Sequence, residues 1–223
     1  MFIVIFLLGG DLLEKFIFDI DGTLLKANWE YEKIYFNSVL SREDADIFLP
    51  KISKLLTGYE STFTHYDIDL LSSYLSENTG VNITPDLIRG WINAGKDYYD
   101  VVDDAKDVLE YLKNKDKKIV ALSNWFTEMN KTRLEKAGLL EYFDNVYCTD
   151  MIEMKPNEAS YLKACGDTLL SKVVMIGDSL SFDVLRPMEL GIDAIYYCPR
   201  ENVKLDNPKV KVIRKLNEIK EMY

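Results

Sequence analysis

The sequence predicts an α/β fold, a doubly wound parallel sheet of Rossmann-like type with an inserted α-helical domain. Three observations carry that prediction. Short runs apolar on both faces, Phe16–Ile20, Ile119–Leu122, Val173–Ile176 and Ala194–Tyr197, alternate with helical segments, the pattern of a parallel sheet covered on both sides. The stretch from 26 to 104 breaks this alternation and reads as helical, with little strand signal. Carboxylate-bearing turns follow several of the apolar runs, at the strand ends where open α/β sheets bind their ligands.

The elements follow in order. Met1–Leu8 is apolar but far too short to span a bilayer, and it lacks the basic start and small-residue cleavage site of a signal peptide. Gly9-Gly10-Asp11 can be encoded by GGAGG followed by GAY, a ribosome-binding sequence, and Leu13 by the start codon TTG. Residues 1–12 therefore read as a translated leader. The first core strand is Phe16–Ile20. Within the insertion, Ser41-Arg42-Glu43-Asp44 is a capping-box-like helix start, with Pro50 just beyond that helix. Asp67–Leu75 puts Ile68, Leu71, Tyr74 and Leu75 on one helical face. Thr84-Pro85 reads as an N-cap and N1 proline opening a helix toward Tyr98, and Asp104 as the cap of the helix carrying Val108, Leu109 and Leu112. Core elements then alternate. A helix over Thr127–Ala137 stops at Gly138, and Asn145–Cys148 is a weaker strand. A helix over Asn157–Cys165, a short one over Pro187–Leu190, a weak strand at Val210–Ile213 and a helix over Leu216–Met222 complete the chain. The predicted division is 13–25 with 105–223 for the core and 26–104 for the insertion, which suits 223 residues as one core plus an appendage.

With 37 acidic against 27 basic residues the net charge is -10, which disfavours nucleic acid and anionic membrane surfaces as partners. Cys148, Cys165 and Cys198 are widely spaced and form no CxxC pair. A structural zinc site and a disulfide scaffold are therefore disfavoured, and a reducing compartment, the cytoplasm, is expected. His65 is the single histidine, which makes hydrolysis by a Ser-His or Cys-His scheme a poor reading.

The densest chemical signal is Phe16-Ile17-Phe18-Asp19-Ile20-Asp21-Gly22-Thr23-Leu24. Alternation sends residues i and i+2 the same way, so Asp19 and Asp21 leave the strand end together. Gly22 permits the positive φ or close backbone approach that a sharp turn beside an anion requires. Downstream strand ends carry Ser123-Asn124, Lys155-Pro156 and Gly177-Asp178-Ser179, with Asp183 four residues after Ser179. Taken singly, Ser-Asn after a strand is an ordinary turn and a lone lysine a solvated charge. Brought together, the carboxylates of Asp19, Asp21, Asp178 and Asp183 cannot all stay ionised unaided. Unless some remain protonated, the crevice needs a hard divalent cation, and magnesium suits an all-oxygen ligand set. The metal, Lys155 and backbone donors would turn an acidic crevice into a phosphate site.

The order DxDGT, Ser-Asn, Lys-Pro, GDSxxxD resembles that of the haloacid dehalogenase-like superfamily, over nearly the whole chain from Phe16 to about Tyr197. The resemblance implies that the helical insertion is a cap domain between the first and second motifs. It implies Asp19 as nucleophile and Asp21 as general acid/base. Magnesium would be bound by the Asp19 carboxylate, the Asp21 backbone carbonyl and Asp178. Ser123, Asn124 and Lys155 would hold the phosphoryl group, with Asp183 supporting Lys155 or a water on the metal. Trp125, Phe182 and Pro187 depart from the usual pattern of this subgroup.

Asp21 also argues against the superfamily's namesake reaction. A halide leaves without a proton, whereas the alkoxide of a phosphate ester needs one. The expected activity is thus a magnesium-dependent phosphatase acting on a small phosphate monoester, a nucleotide or sugar phosphate, through an aspartyl-phosphate. A phosphomutase of the beta-phosphoglucomutase type and a non-catalytic phosphate-binding protein of the same fold are the alternatives. Trp29, Tyr31, Tyr35, Tyr59, Tyr66 and Trp91 either stack on a nucleobase or form the cap's own helix packing. Lys33 and His65 either contact a leaving group or face solvent. The residues leave the individual ester and the oligomeric state open.

Overall fold

In the computed structural model, which describes residues 13–200 and 207–223, the chain enters the sheet at β1 (Lys15–Phe18). The expected leader, 1–12, lies outside the described residues. β2 (Leu25–Ala27) leads into α1 (Glu30–Val39), α2 (Arg42–Phe48), α3 (Ile52–Thr62), α4 (Ile68–Thr79) and α5 (Pro85–Ala94), and β3 (Tyr99–Val101) returns the chain. There follow α6 (Ala105–Asn114), β4 (Lys118–Ser123), α7 (Thr127–Lys136), β5 (Asn145–Cys148), α8 (Glu158–Cys165) and β6 (Val173–Gly177). A π-helical segment over Leu180–Leu185 runs into α9 (Arg186–Glu189), and β7 (Asp193–Tyr197), β8 (Lys211–Ile213) and α10 (Ile219–Met222) close the fold.

The main sheet has the order β5-β4-β1-β6-β7-β8, and every pairing is parallel. The chain adds β4 and β5 on one side of β1 and β6, β7 and β8 on the other. The order therefore reverses at β1, and the crevice above its carboxyl end is the switch point where such sheets bind ligands. The α/β class expected from the apolar runs is the observed one. Period-two alternation explains why those runs lack polar positions. Phe16 and Phe18 enter the layer with Val108, Leu112 and Leu134, while Ile17 between them enters the opposite layer with Tyr161 and Met175. Lys15, at the other end of β1, is buried because its ammonium donates to the carbonyls of Ala164 (3.3 Å) and Cys165 at the end of α8.

The inserted helices start where the sequence places them. Ser41 Oγ accepts from the Asp44 N–H (3.1 Å), Asp67 from Asp69 and Leu70 (2.9 Å each), and Thr84 from Leu87 (3.3 Å) with Pro85 at N1. Two expectations need correction. The helix opened by Pro85 ends at Ala94 rather than near Tyr98, and Tyr99–Val101 is a strand pairing antiparallel with Leu25–Ala27. A three-residue strand is too short to show periodicity. Asp104 precedes α6 with φ 67°, but its side chain makes no capping hydrogen bond. The short helix expected over Pro187–Leu190 is α9, which continues from the π-helical segment over Leu180–Leu185.

Tyr31, Tyr59, Tyr66 and Trp91 are buried in one apolar cluster that also takes in Trp125, Phe126 and Met129 from the sheet side. Those four aromatics therefore serve helix packing, and Trp29 alone of the six is exposed. Lys33 and His65 both face solvent.

Candidate active site

Asp19 follows the last paired residue of β1, and its N–H donates to Ile176 O (2.9 Å) on the neighbouring strand. That anchor fixes the carboxylate above the sheet. Lys155 Nζ donates to Asp19 Oδ1 and to Asp183 Oδ1, each at 2.7 Å, and all three side chains are buried. Thr23 Oγ1 donates to Asp19 Oδ2 at 3.3 Å. Asp183 is held from its other side by the Ser179 N–H (3.0 Å). Ser123 is buried at the end of β4 and lines the same cavity as Asp19, Asp21, Asn124, Lys155 and Asp178. All seven residues expected at the site therefore border one crevice. The Asn124 side chain also braces the lysine loop. Its amide donates to Lys155 O and accepts from Lys155 N, both at 2.8 Å.

Two glycines make this closeness possible. Gly22 has φ +85°, and a Cβ there would lie 2.2 Å from Asp178 Oδ2. Gly177 leaves room for Asp183, whose carboxyl carbon would lie 2.3 Å from an added Cβ. Any larger residue at either position would displace a carboxylate of the site.

Asp19, Asp178 and Asp183 each offer a carboxylate oxygen, and these oxygens lie within 4.8 Å of one another. Among the described residues Lys155 is the single cation lining their cavity. Burial pushes the Asp19 carboxyl up to about 8 against the pull of Lys155, and Asp183 adds to the rise. Burial, then Asp183, raises Asp178 to about 6. Burial alone would drive the Lys155 ammonium down, but Asp183 and Asp19 outweigh it and hold it above the ordinary lysine range. Three close carboxylates against one lysine leave a charge deficit that a hard divalent cation satisfies, so the donor set fits magnesium. Asp183 belongs to this cluster, as the carboxylate count of the sequence anticipates, and it also braces Lys155.

Asp21 is placed differently. Both its oxygens accept from Arg133, with Nη1 at 2.7 Å and Nη2 at 2.8 Å, and the Arg133 side chain is wholly buried on α7. Arg133 also donates to Asn130 Oδ1, and among the described residues its Nε has no partner. Sequence reasoning missed this arginine. The available signal was its position, one turn beyond Met129 and Asn130 and next to Leu134 on the buried face of α7. A charged residue in that stripe needs a buried partner.

The fold and this crevice define a class: a doubly wound α/β protein with a carboxylate–lysine centre at its switch point. The family model for haloacid dehalogenase-like hydrolases matches residues 15–185, and the chain belongs to that family. Among curated relatives, the chain is 27% identical over 161 residues to a pyrimidine 5'-nucleotidase of Streptococcus pneumoniae, covering 69% of this chain and 63% of that protein. It is 29% identical over 104 residues to a ribulose-1,5-bisphosphate 5-phosphatase of Halopiger xanaduensis, covering 45% and 44%. The matched region thus spans less than two thirds of either relative. The magnesium-bound structure of a HAD-hydrolase from Bacillus subtilis superposes with a TM-score of 0.68 at 18% identity, covering 94% of this chain and 98% of that one. That likeness is one of fold.

Proposed function

We propose that this protein is a magnesium-dependent phosphatase that hydrolyses a small phosphate monoester through an aspartyl-phosphate on Asp19. The observation that carries the reading is the buried Asp19–Lys155–Asp183 contact at 2.7 Å, set at the switch point with a second acid, Asp21, two residues on. The relatives support it, since one is named a nucleotidase and the other a sugar-bisphosphate phosphatase. In this reading 13–25 with 105–223 form the catalytic core, and 26–104 form a cap over the crevice that excludes bulk water. Three free, buried cysteines support a reducing compartment, the cytoplasm. Among the described residues no helix is long and apolar enough to cross a membrane.

The chemistry follows from the residues. An Asp19 oxygen attacks phosphorus as the bond to the ester oxygen breaks, and Asp21 delivers a proton to that departing oxygen. Asp21, now a carboxylate, takes a proton from the water that attacks the aspartyl-phosphate and releases phosphate. Arg133 holds both Asp21 oxygens, one N–H to each, and each oxygen keeps a second lone pair for the proton, so the acid is positioned with that contact in place. Lys155 and the Ser123 hydroxyl meet the equatorial oxygens. A magnesium ion held by Asp19 and Asp178, with Asp183 beside them, would supply further charge neutralisation at the transferring group.

Phosphate release from p-nitrophenyl phosphate, with and without magnesium, tests the proposal. A phosphomutase would instead isomerise a sugar phosphate with little phosphate released. A non-catalytic binding protein would do neither.

A further inference from the structure

The cavity above Asp19 is roofed by one charged side chain, and its sign is negative. Its volume is about 270 Å³, at the small end of ligand pockets. Trp29, Leu56, Tyr66, Trp125 and Phe182 give it a largely apolar wall. Glu60, near the end of α3, is the polar exception on the cap side. Its Oε1 accepts from Tyr66 Oη at 2.9 Å, and among the described residues its Oε2 accepts no hydrogen bond.

Glu60 is not a loose surface charge. Tyr66 is buried, stacks on Tyr59 with ring centroids 5.1 Å apart and meets Trp125 edge-on at 5.1 Å. The Tyr66 N–H donates to Thr149 O at 2.8 Å, which ties this segment of the cap to the loop after β5. The carboxylate is thereby oriented from a rigid base. Burial raises its pKa, while the Tyr66 hydroxyl and the Lys155 charge oppose the rise. Among the described residues the only cation lining the cavity is Lys155, which already pairs with Asp19 and Asp183.

We infer that Glu60 is a specificity-determining residue that selects phosphate monoesters whose leaving group is uncharged and presents a hydrogen-bond donor, and that rejects esters carrying a second anionic group. This rests on the phosphatase reading above. With phosphorus at Asp19, the leaving group must occupy the space between the strand ends and α3. There an N–H or O–H finds the free Glu60 oxygen, and a flat or apolar face finds the aromatic wall. A second phosphate or a carboxylate finds no cation and, opposite it, another carboxylate. The site is thus suited to a nucleoside or a singly phosphorylated sugar and unsuited to a bisphosphate or a phosphorylated acid. Discrimination arises as much from the repelled competitor as from the accepted substrate.

The test is a matched pair of substrates on the full chain with magnesium: uridine 5'-monophosphate against uridine 3',5'-bisphosphate, with p-nitrophenyl phosphate as a general ester. The expected kcat/KM ratio favours the monophosphate by about tenfold or more, on the order of one water-screened like-charge contact. Glu60→Gln, which keeps an acceptor for Tyr66, should reduce that ratio several-fold, and Glu60→Lys should reduce it further or invert it. Equal turnover of the two uridine esters by the wild-type protein would overturn the inference while p-nitrophenyl phosphate hydrolysis still upholds the phosphatase. A wild-type preference unchanged in Glu60→Gln would also overturn it, because another group would then be the source. Failure to release phosphate from any ester, p-nitrophenyl phosphate included, would remove the phosphatase reading itself. The wild-type ratio needs no variant to fold.

Discussion

Arg133→Met asks whether the proton-carrying role of Asp21 depends on its pairing with α7. Methionine keeps a long, flexible side chain in the buried position but removes both contacts to Asp21, now 2.7 and 2.8 Å. Removing one partner of a buried pair costs about 3–5 kcal/mol when the other is stranded. Asp21 retains 20% side-chain exposure, so water can solvate it and the cost falls below that range. The unpartnered Arg133 Nε, a liability of about 1–3 kcal/mol, disappears with the substitution. The expected net loss is therefore at most about 2 kcal/mol, read as a lower urea midpoint at unchanged m-value. Asp21→Asn and the double variant complete a cycle that isolates the coupling between the two side chains. In catalysis, loosening Asp21 should lower kcat/KM for an alkyl phosphate about tenfold more than for p-nitrophenyl phosphate, whose leaving group needs less protonation. Wild-type stability together with equal losses on both substrates would refute the reasoning, because Arg133 would then neither hold Asp21 nor act through it.

Asp19→Asn should abolish turnover with the fold intact, and should prevent a beryllium-fluoride adduct from forming. More than about a thousandth of wild-type kcat, a barrier change of under ~4 kcal/mol, would count against a nucleophilic Asp19. Asp21→Asn should slow the first step much more for an alkyl phosphate than for p-nitrophenyl phosphate, and should accumulate aspartyl-phosphate with the latter in single-turnover experiments. The metal-free protein should lose stability as pH rises from 5 to 8. Asp178, raised to about 6, and Asp19, raised to about 8, hold protons in the folded state that the unfolded chain has released above about 4. Magnesium should offset that loss, most at the high-pH end, and Asp178→Asn should flatten part of the slope. A metal-free Tm that rises over this interval would refute the raised pKa values.

The sheet was legible because burial on both faces leaves an unbroken apolar run, as in Phe16–Phe18, and because Gly138 and Pro85 mark helix ends by their backbone chemistry. The crevice was legible because strand-end carboxylates in a parallel sheet must converge. The β2–β3 ribbon was not, since three residues per strand carry no period and Tyr99–Val101 is half exposed. Nor was the brace that Asn124 puts on the lysine loop, because a side chain that bonds backbone leaves the same sequence trace as one aimed at a ligand. Arg133 and Glu60 escaped for a related reason. Each lies on a helix outside the four motifs, 112 residues from Asp21 in the one case, and only the packed fold brings it to the site.

Those two residues change how the motifs should be understood. The DxDGT segment supplies a second acid, but Arg133 holds both of its oxygens and so sets where Asp21 can deliver a proton. Lys155 supplies the phosphoryl end with charge, but Asp19 and Asp183 consume it, leaving the leaving-group end to be governed by Glu60. In the proposed reaction, proton delivery and substrate choice are therefore set from α7 and α3, the one packed beside the core sheet and the other in the insertion. A chain could keep DxDGT, Ser-Asn, Lys-Pro and GDSxxxD intact and still lose the first function through α7 or redirect the second through α3. In the proposed reaction of this chain, the motifs place phosphoryl transfer, and α7 and α3 bear on its rate and its substrate.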